Sequence, residues 1–134
     1  MNRLKWLFQN GMAVLWARWC LRNADYVGKK VRLTGRPVIS NWGKMIIHDR
    51  VQLISTIATL ELISAGGMLE VGEGTYINYG CSISASKLVQ IGPNCNIGPY
   101  CFLMDNDFHR LEVRNFCRIA QQQQPLRLPF EGQF

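Results

Sequence analysis

The chain has 134 residues, of which 48% are hydrophobic and 18% charged. This length suits one ordinary domain with its own core, and the composition excludes disordered and collagen-like chains. The formal net charge is +6, but its excess of cations lies in residues 1–36, where eight basic side chains accompany one acid, Asp25. A nucleic-acid-binding module would spread its basic residues over a face with interleaved aromatics. We therefore expect no nucleic-acid partner.

Residues 1–24 are predicted to form an amphipathic helix with basic residues near both ends. Its apolar residues are Leu4, Leu7, Phe8, Val14, Leu15 and Trp19. The apolar side either packs on the rest of the chain or on a neighbouring subunit, or it makes a weak contact with an anionic membrane surface. A signal peptide and a transmembrane span both fit poorly, because Gln9 and Asn10 interrupt the apolar run. A cytoplasmic location is expected.

Residues 31–53 alternate apolar side chains with glycine and proline turn residues, a pattern typical of short strands. Their apolar positions are Val31, Leu33, Ile39, Met45, Ile47, Val51 and Leu53. We expect this segment to form a first coil of β-structure. Residues 56–72 are also rich in strand-forming residues, and we expect them to form a bridge to a more regular region.

An aliphatic residue followed by a small one recurs along residues 71–104. The aliphatic residues stand six apart, with one step of eight, at Val71, Ile77, Ile83, Ile91, Ile97 and Leu103. A period of six is the mark of a parallel β-helix, in which three short strands make one coil and successive coils stack. The step of eight makes the coil from 71 to 91 twenty residues long, with residues 84–90 bulging at a corner. Val71 should then lie under Ile91, Ile77 under Ile97 and Ile83 under Leu103.

The predicted fold is therefore an all-β parallel β-helix over residues 25–108, preceded by the helix of residues 1–24. Residues 109–134 lack the six-residue period and predict a loop with an irregular tail.

Five cysteines occur without a CxxC pair, and the only histidines are His48 and His109. This pattern does not favour a metal site, and none is predicted. Cys81, Cys95 and Cys101 are interpreted as small buried thiols at coil corners, with Cys81 beside Cys101.

Three segments resemble, in this order, the left-handed hexapeptide-repeat acyltransferases, especially sugar O-acetyltransferases and serine-acetyltransferase-like proteins. They read "GRPVISNWGKMIIHDRVQL", "LEVGEGTYINYGCSISASKLVQIGPNCNIGPYCF" and "MDNDFH". The resemblance covers about residues 30–109. It implies a left-handed coil, a homotrimer with active sites at subunit boundaries, and transfer of an acetyl group from acetyl-CoA to a hydroxyl of a sugar or similar small acceptor.

The resemblance also implies roles for individual residues. His109 would be the general base, since an imidazole titrates near neutral pH. Asp107 or Asp105 would hold its ring in the right tautomer, and Asn78 would line the acceptor site and polarise the reacting groups. Asp105 and Tyr79 are assigned to acceptor binding, Tyr79 as an aromatic wall. His48 stands where the family usually has glycine and is interpreted as a surface substitution without a catalytic part.

After His109 the sequence departs from the family, whose members continue with further coils that hold coenzyme A. Residues 110–134 carry no such repeats, so we expect a chain truncated at its C-terminus that lacks most of the coenzyme A site. Three interpretations stay open: an acetyltransferase, a truncated and non-catalytic β-helical oligomerisation module, and a membrane-surface partner that binds through the basic helix.

Overall fold

The computed structural model describes residues 2–105, which form one helix followed by twelve short strands. Helix α1 spans Arg3–Cys20, and the Asn2 side chain caps it by accepting a hydrogen bond from the Leu4 N–H at 2.9 Å. The strands are β1 (Tyr26–Val27), β2 (Arg32–Gly35), β3 (Val38–Asn41), β4 (Lys44–Ile47), β5 (Gln52–Ser55), β6 (Glu61–Ser64), β7 (Met68–Val71), β8 (Tyr76–Ile77), β9 (Ser82–Ala85), β10 (Leu88–Ile91), β11 (Asn96–Ile97) and β12 (Phe102–Met104). The tail predicted over 109–134 lies outside the described residues.

The twelve strands form three parallel sheets of four strands each. Sheet A contains β1, β4, β7 and β10, sheet B contains β2, β5, β8 and β11, and sheet C contains β3, β6, β9 and β12. The chain visits the three sheets in turn, so it winds through four coils of a three-sided solenoid. The predicted all-β parallel β-helix with an N-terminal helix is confirmed.

Aliphatic side chains stack in columns inside the solenoid. In sheet B, Leu33 pairs with Leu53, Leu53 with Ile77, and Ile77 with Ile97. Full burial of such a side chain contributes about 1.5–3 kcal/mol, so these columns are the main source of stability. The other columns are Val27, Ile47, Val71 and Ile91 in sheet A and Ile39, Leu62, Ile83 and Leu103 in sheet C. The three stacking pairs predicted from the repeat are confirmed.

The second coil is longer than its neighbours. The pairing advances by 20 residues from Arg32 to Gln52 and from Tyr76 to Asn96, but by 24 from Gln52 to Tyr76. Most of the additional residues lie in the loop 56–60 between β5 and β6. The prediction that residues 56–72 form a bridge is wrong, because this segment contains β6 and β7, which are regular members of sheets C and A. Residues 31–53 likewise contribute to two coils rather than one.

The predicted corner bulge of residues 84–90 is also absent. These residues contain the end of β9 and most of β10, with a bend at Ser86 and Lys87 between the two strands. The two additional residues lengthen β10 so that it pairs with all four residues of β7. The backbone hydrogen bonds gained by this pairing explain why the chain extends the strand instead of looping out.

Helix α1 packs against β2 through its small and polar side rather than its large apolar side. Ala17 and the following Leu21 are fully buried, and Asn10 and Ala13 are half-buried. Of the six apolar residues that mark the helix in the sequence, only Val14 is half-buried, and the other five are exposed. The alternative in which this apolar side packs on the chain's own β-helix is therefore wrong.

Truncating a buried column residue should destabilise the protein far more than truncating an exposed one. Leu53→Ala leaves a cavity between two neighbouring coils and should lower the free energy of unfolding by about 2–5 kcal/mol. Ile57→Ala, at a side chain that is 72% exposed, should change it by less than about 0.5 kcal/mol. Urea unfolding monitored by circular dichroism measures both. Equal effects of the two substitutions would contradict the assignment of the columns.

Candidate functional site

Asn78 and Tyr79 lie in the turn between β8 and β9, at the corner where sheets B and C meet. The Asn78 N–H donates to the Ile97 carbonyl of the next coil at 3.1 Å. The Asn78 side-chain oxygen accepts a hydrogen bond from the Tyr79 N–H at 2.8 Å. The amide side chain of Asn78 is therefore folded onto the turn, and its NH₂ group is the part left to meet a ligand.

The ring of Tyr79 packs edge-on against the ring of Tyr100 in the coil above, with centroids 5.6 Å apart and an interplanar angle of 83°. Gly80 permits this contact, since its φ is +73° and a Cβ there would collide with the Tyr100 ring. The corner that carries Asn78 therefore also presents two aromatic rings in edge-to-face contact. Such a wall suits the apolar face of a small organic molecule.

A cleft of about 360 Å³ lies one coil below, lined by Gly35, Arg36 and residues 55–59. Ser55 shapes it, because its hydroxyl donates to the Arg36 carbonyl at 2.9 Å and accepts from the Leu60 N–H at 2.9 Å. The Gly80 N–H donates to the Ala58 carbonyl at 3.2 Å. This bond joins the cleft to the turn that carries Asn78 and Tyr79, so both belong to one edge of the solenoid.

Asp105 lies at a different corner, where sheets C and A meet. Its carboxylate accepts hydrogen bonds from the N–H groups of Ser86, Lys87 and Leu88 at 2.7, 2.6 and 2.7 Å. Burial raises the pKa of the Asp105 carboxyl, but the three backbone donors outweigh it and hold this pKa below its ordinary value. Asp105 therefore has an evident structural role as the clamp of the turn beneath it.

The structure brings Asn78 and Tyr79 together and places Asp105 at the next corner. The predicted base His109 and its predicted partner Asp107 lie outside the described residues. The roles assigned to all five residues stay predictions.

The sequence interpretation missed a chain of three polar side chains on the outer face of sheet A. His48 Nε2 lies 2.7 Å from Glu70 Oε2, and Gln90 Nε2 donates to Glu70 Oε1 at 2.9 Å. The hydrogen bond from His48, followed by that from Gln90, holds the pKa of Glu70 below its ordinary value. A carboxylate that orients an imidazole is a common arrangement for a general base. His48 is thus a second candidate base, although it does not line the cleft formed by Gly35, Arg36 and residues 55–59.

His48 occupies a corner position that glycine holds in the other three coils. Ile47 pairs with Val71 and Val71 with Ile91, and the residues that follow them are His48, Gly72 and Gly92, with Gly28 in the same position of the first coil. The departure from glycine was visible in the sequence. Its pairing with Glu70 was not, because that pairing depends on the longer second coil.

Cys20, Cys81, Cys95 and Cys101 are free thiols. Cys81 is buried in the interior and its Sγ donates to the Gly98 carbonyl at 3.0 Å. Burial raises the pKa of the Cys81 thiol, so this residue stays protonated at neutral pH and is a poor nucleophile. Among residues 2–105, no group of three or more histidine, cysteine, aspartate or glutamate side chains is arranged to hold a metal ion.

No protein-family model matches the chain, and no curated protein or solved structure matches it at a significant level. Within residues 2–105, no helix has both the length and the apolar character needed to cross a membrane.

The Asp105 clamp should make the stability depend on pH in a defined direction. A carboxyl whose folded-state pKa is lowered contributes stability above its ordinary pKa, and this contribution is lost as the pH falls through the folded-state pKa. Asp105→Asn should therefore lower the free energy of unfolding by up to about 1 kcal/mol at pH 7, since charge-assisted hydrogen bonds are lost at an exposed site that solvent screens. The cost should vanish as the pH falls below the lowered pKa of Asp105.

Urea unfolding of the parent and of Asp105→Asn at neutral and acidic pH tests this prediction. A penalty of the same size at both pH values would contradict it.

Proposed function

We propose that the protein is an acyltransferase of the left-handed hexapeptide-repeat type, which transfers an acetyl group from acetyl-CoA to a hydroxyl of a sugar or similar small acceptor. The observation that carries the proposal is the register of the solenoid. The sequence segments that resemble this family lie on successive coils. In them, Ile77 pairs with Ile97 and Ile83 pairs with Leu103. The "MDNDFH" segment begins at Met104 in β12, in the last coil that the structure describes.

In this proposal the His109 imidazole removes the proton of the acceptor hydroxyl while its oxygen attacks the thioester carbonyl. A carbon–oxygen bond forms, the carbon–sulfur bond breaks, and coenzyme A leaves as the protonated thiol. Asp105 follows β12 at the corner where sheets C and A meet, and Asn78 and Tyr79 lie at the corner where sheets B and C meet. This division supports a homotrimer, in which neighbouring subunits would share a site that contains both groups.

A non-catalytic β-helical oligomerisation module is the second candidate function. One observation favours it: the polar side chains assigned to the site also form hydrogen bonds that stabilise turns of the solenoid. The Asn78 side-chain oxygen accepts from the Tyr79 N–H, and the Asp105 carboxylate accepts from three N–H groups of the turn at 86–88. In this second function, the rings of Tyr79 and Tyr100 would contact a neighbouring subunit instead of an acceptor.

Measuring coenzyme A release with a panel of sugars and serine as acceptors tests the first function. His109→Ala should lower kcat/KM by about 10²- to 10⁴-fold, because the proton of the acceptor loses its base. His48→Ala tests the second candidate base, which is the other histidine of the chain, and it should retain activity if His109 is the base. If His48→Ala abolishes release and His109→Ala does not, the assignment of the base is wrong.

Two further measurements separate the candidate functions. An acyltransferase should bind acetyl-CoA in isothermal titration calorimetry and sediment as a trimer. A trimer that binds no acetyl-CoA and releases no coenzyme A with any acceptor would refute the proposed catalysis and support the oligomerisation module.

A further inference from the structure

Helix α1 carries an apolar stripe on the side that faces away from the solenoid. The stripe consists of Leu4, Phe8, Met12, Leu15 and Trp19, whose side chains are 51–74% exposed. At 3.6 residues per turn these positions fall within an arc of about 80°. The packing side, which contains Asn10, Ala13 and Ala17, occupies the opposite side of the helix. We call this set of five residues the α1 stripe.

The helix is firmly attached to the first coil, so the α1 stripe is held outward. The Trp16 indole N–H donates to the Gly35 carbonyl at 2.6 Å, and Arg32 donates to the Asn10 side-chain oxygen at 2.7 Å. Ala17 is fully buried. A contiguous apolar surface that is fixed in this way marks a contact surface. Because the helix is already formed and anchored, a partner would bind it without first ordering it.

All charged residues of the segment that carries the α1 stripe are positive. Residues 2–24 contain four basic residues, Arg3, Lys5, Arg18 and Arg22, and no acidic residue. On the helical projection Lys5 and Arg18 flank the stripe on its two sides. The Arg22 guanidinium stacks 4.4 Å from the centre of the Trp19 ring. Lys29 and Lys30 add two exposed cations in the neighbouring turn of the first coil. Two acids accompany them, Asp25 before that turn and Asp49 of the second coil, whose carboxylate accepts from the Lys29 N–H at 2.8 Å.

The positive charge of the helix favours one of two possible partners for the α1 stripe, a second copy of the chain or an anionic lipid surface. A second copy of the chain would bring one all-cationic helix against another, which is unfavourable where no acid compensates. An anionic lipid surface provides phosphate groups for the cations and an acyl boundary for tryptophan, phenylalanine and leucine.

We propose that α1 docks the protein on an anionic lipid surface, with the α1 stripe in the interface and the flanking basic residues on lipid phosphates. The helix would lie flat on the surface. It would hold the solenoid by its first coil, so that the last described coil, β10–β12, points away from the lipid. The proposal is independent of acyl transfer.

Co-sedimentation of the full-length protein with vesicles tests the proposal. The protein should bind vesicles of phosphatidylcholine with one third phosphatidylglycerol, bind pure phosphatidylcholine vesicles much more weakly, and dissociate as salt is added. The double variant Phe8→Ser, Leu15→Ser should bind the anionic vesicles at least about tenfold more weakly, because two apolar side chains no longer enter the interface.

The matched control is Trp42→Ser, Ile57→Ser, which removes two apolar side chains that are 82% and 72% exposed but belong to the solenoid and not to the helix. It should bind like the parent. Far-UV circular dichroism and thermal unfolding check that both double variants fold. Equal loss of binding by the two variants, or equal binding of the parent to neutral and anionic vesicles, would overturn the proposal. So would absence of vesicle binding together with self-association that only the stripe variant loses, since the occupant would then be a second copy.

Discussion

The stacking of one aliphatic side chain on the next, coil over coil, is the constraint on which the rest of this structure depends. Hydrogen bonds between parallel strands hold each inward residue over its partner 20 to 24 positions along the chain, as in the column from Leu33 to Ile97. Once these columns are in register, the corners between them are in register too. The register of the corners brings Tyr79 into contact with Tyr100. It also lets the Asp105 carboxylate accept hydrogen bonds from the turn below.

The regular coils could be predicted from sequence because a short strand and a tight turn leave little freedom in six residues. The region before Val71 could not, because the loop 56–60 adds residues at one corner. These additional residues change the spacing of the aliphatic positions in the sequence, although the strands on either side of the loop keep their pairing with the neighbouring coils. The backbone conformation of the turn residues could be predicted from the sequence only in part. Lys30, Arg50, Gly74 and Asn94 all have positive φ at the corner between sheets A and B, and only glycine and asparagine signal that conformation in a sequence.

Side-chain partners were harder to predict than strand positions. The sequence places Asp105 near the end of the repeat, but its three backbone contacts depend on the stacking of β12 over β9, which brings its carboxylate to the turn between β9 and β10. His48, Glu70 and Gln90 meet only because the coil lengths bring them to one face. Helical periodicity identified the apolar residues of α1. It could not show that small residues such as Ala17 provide the packing side, which leaves the larger residues exposed.

The most direct measurement of this architecture is a methyl–methyl NOE spectrum of protein labelled at isoleucine, leucine and valine methyl groups. Neighbouring coils are about 4.8 Å apart. We therefore expect strong cross-peaks that link Leu33 to Leu53, Leu53 to Ile77, and Ile77 to Ile97. A spectrum in which Ile77 shows cross-peaks to neither Leu53 nor Ile97, while the protein is folded, would contradict the stacked columns and every site derived from them.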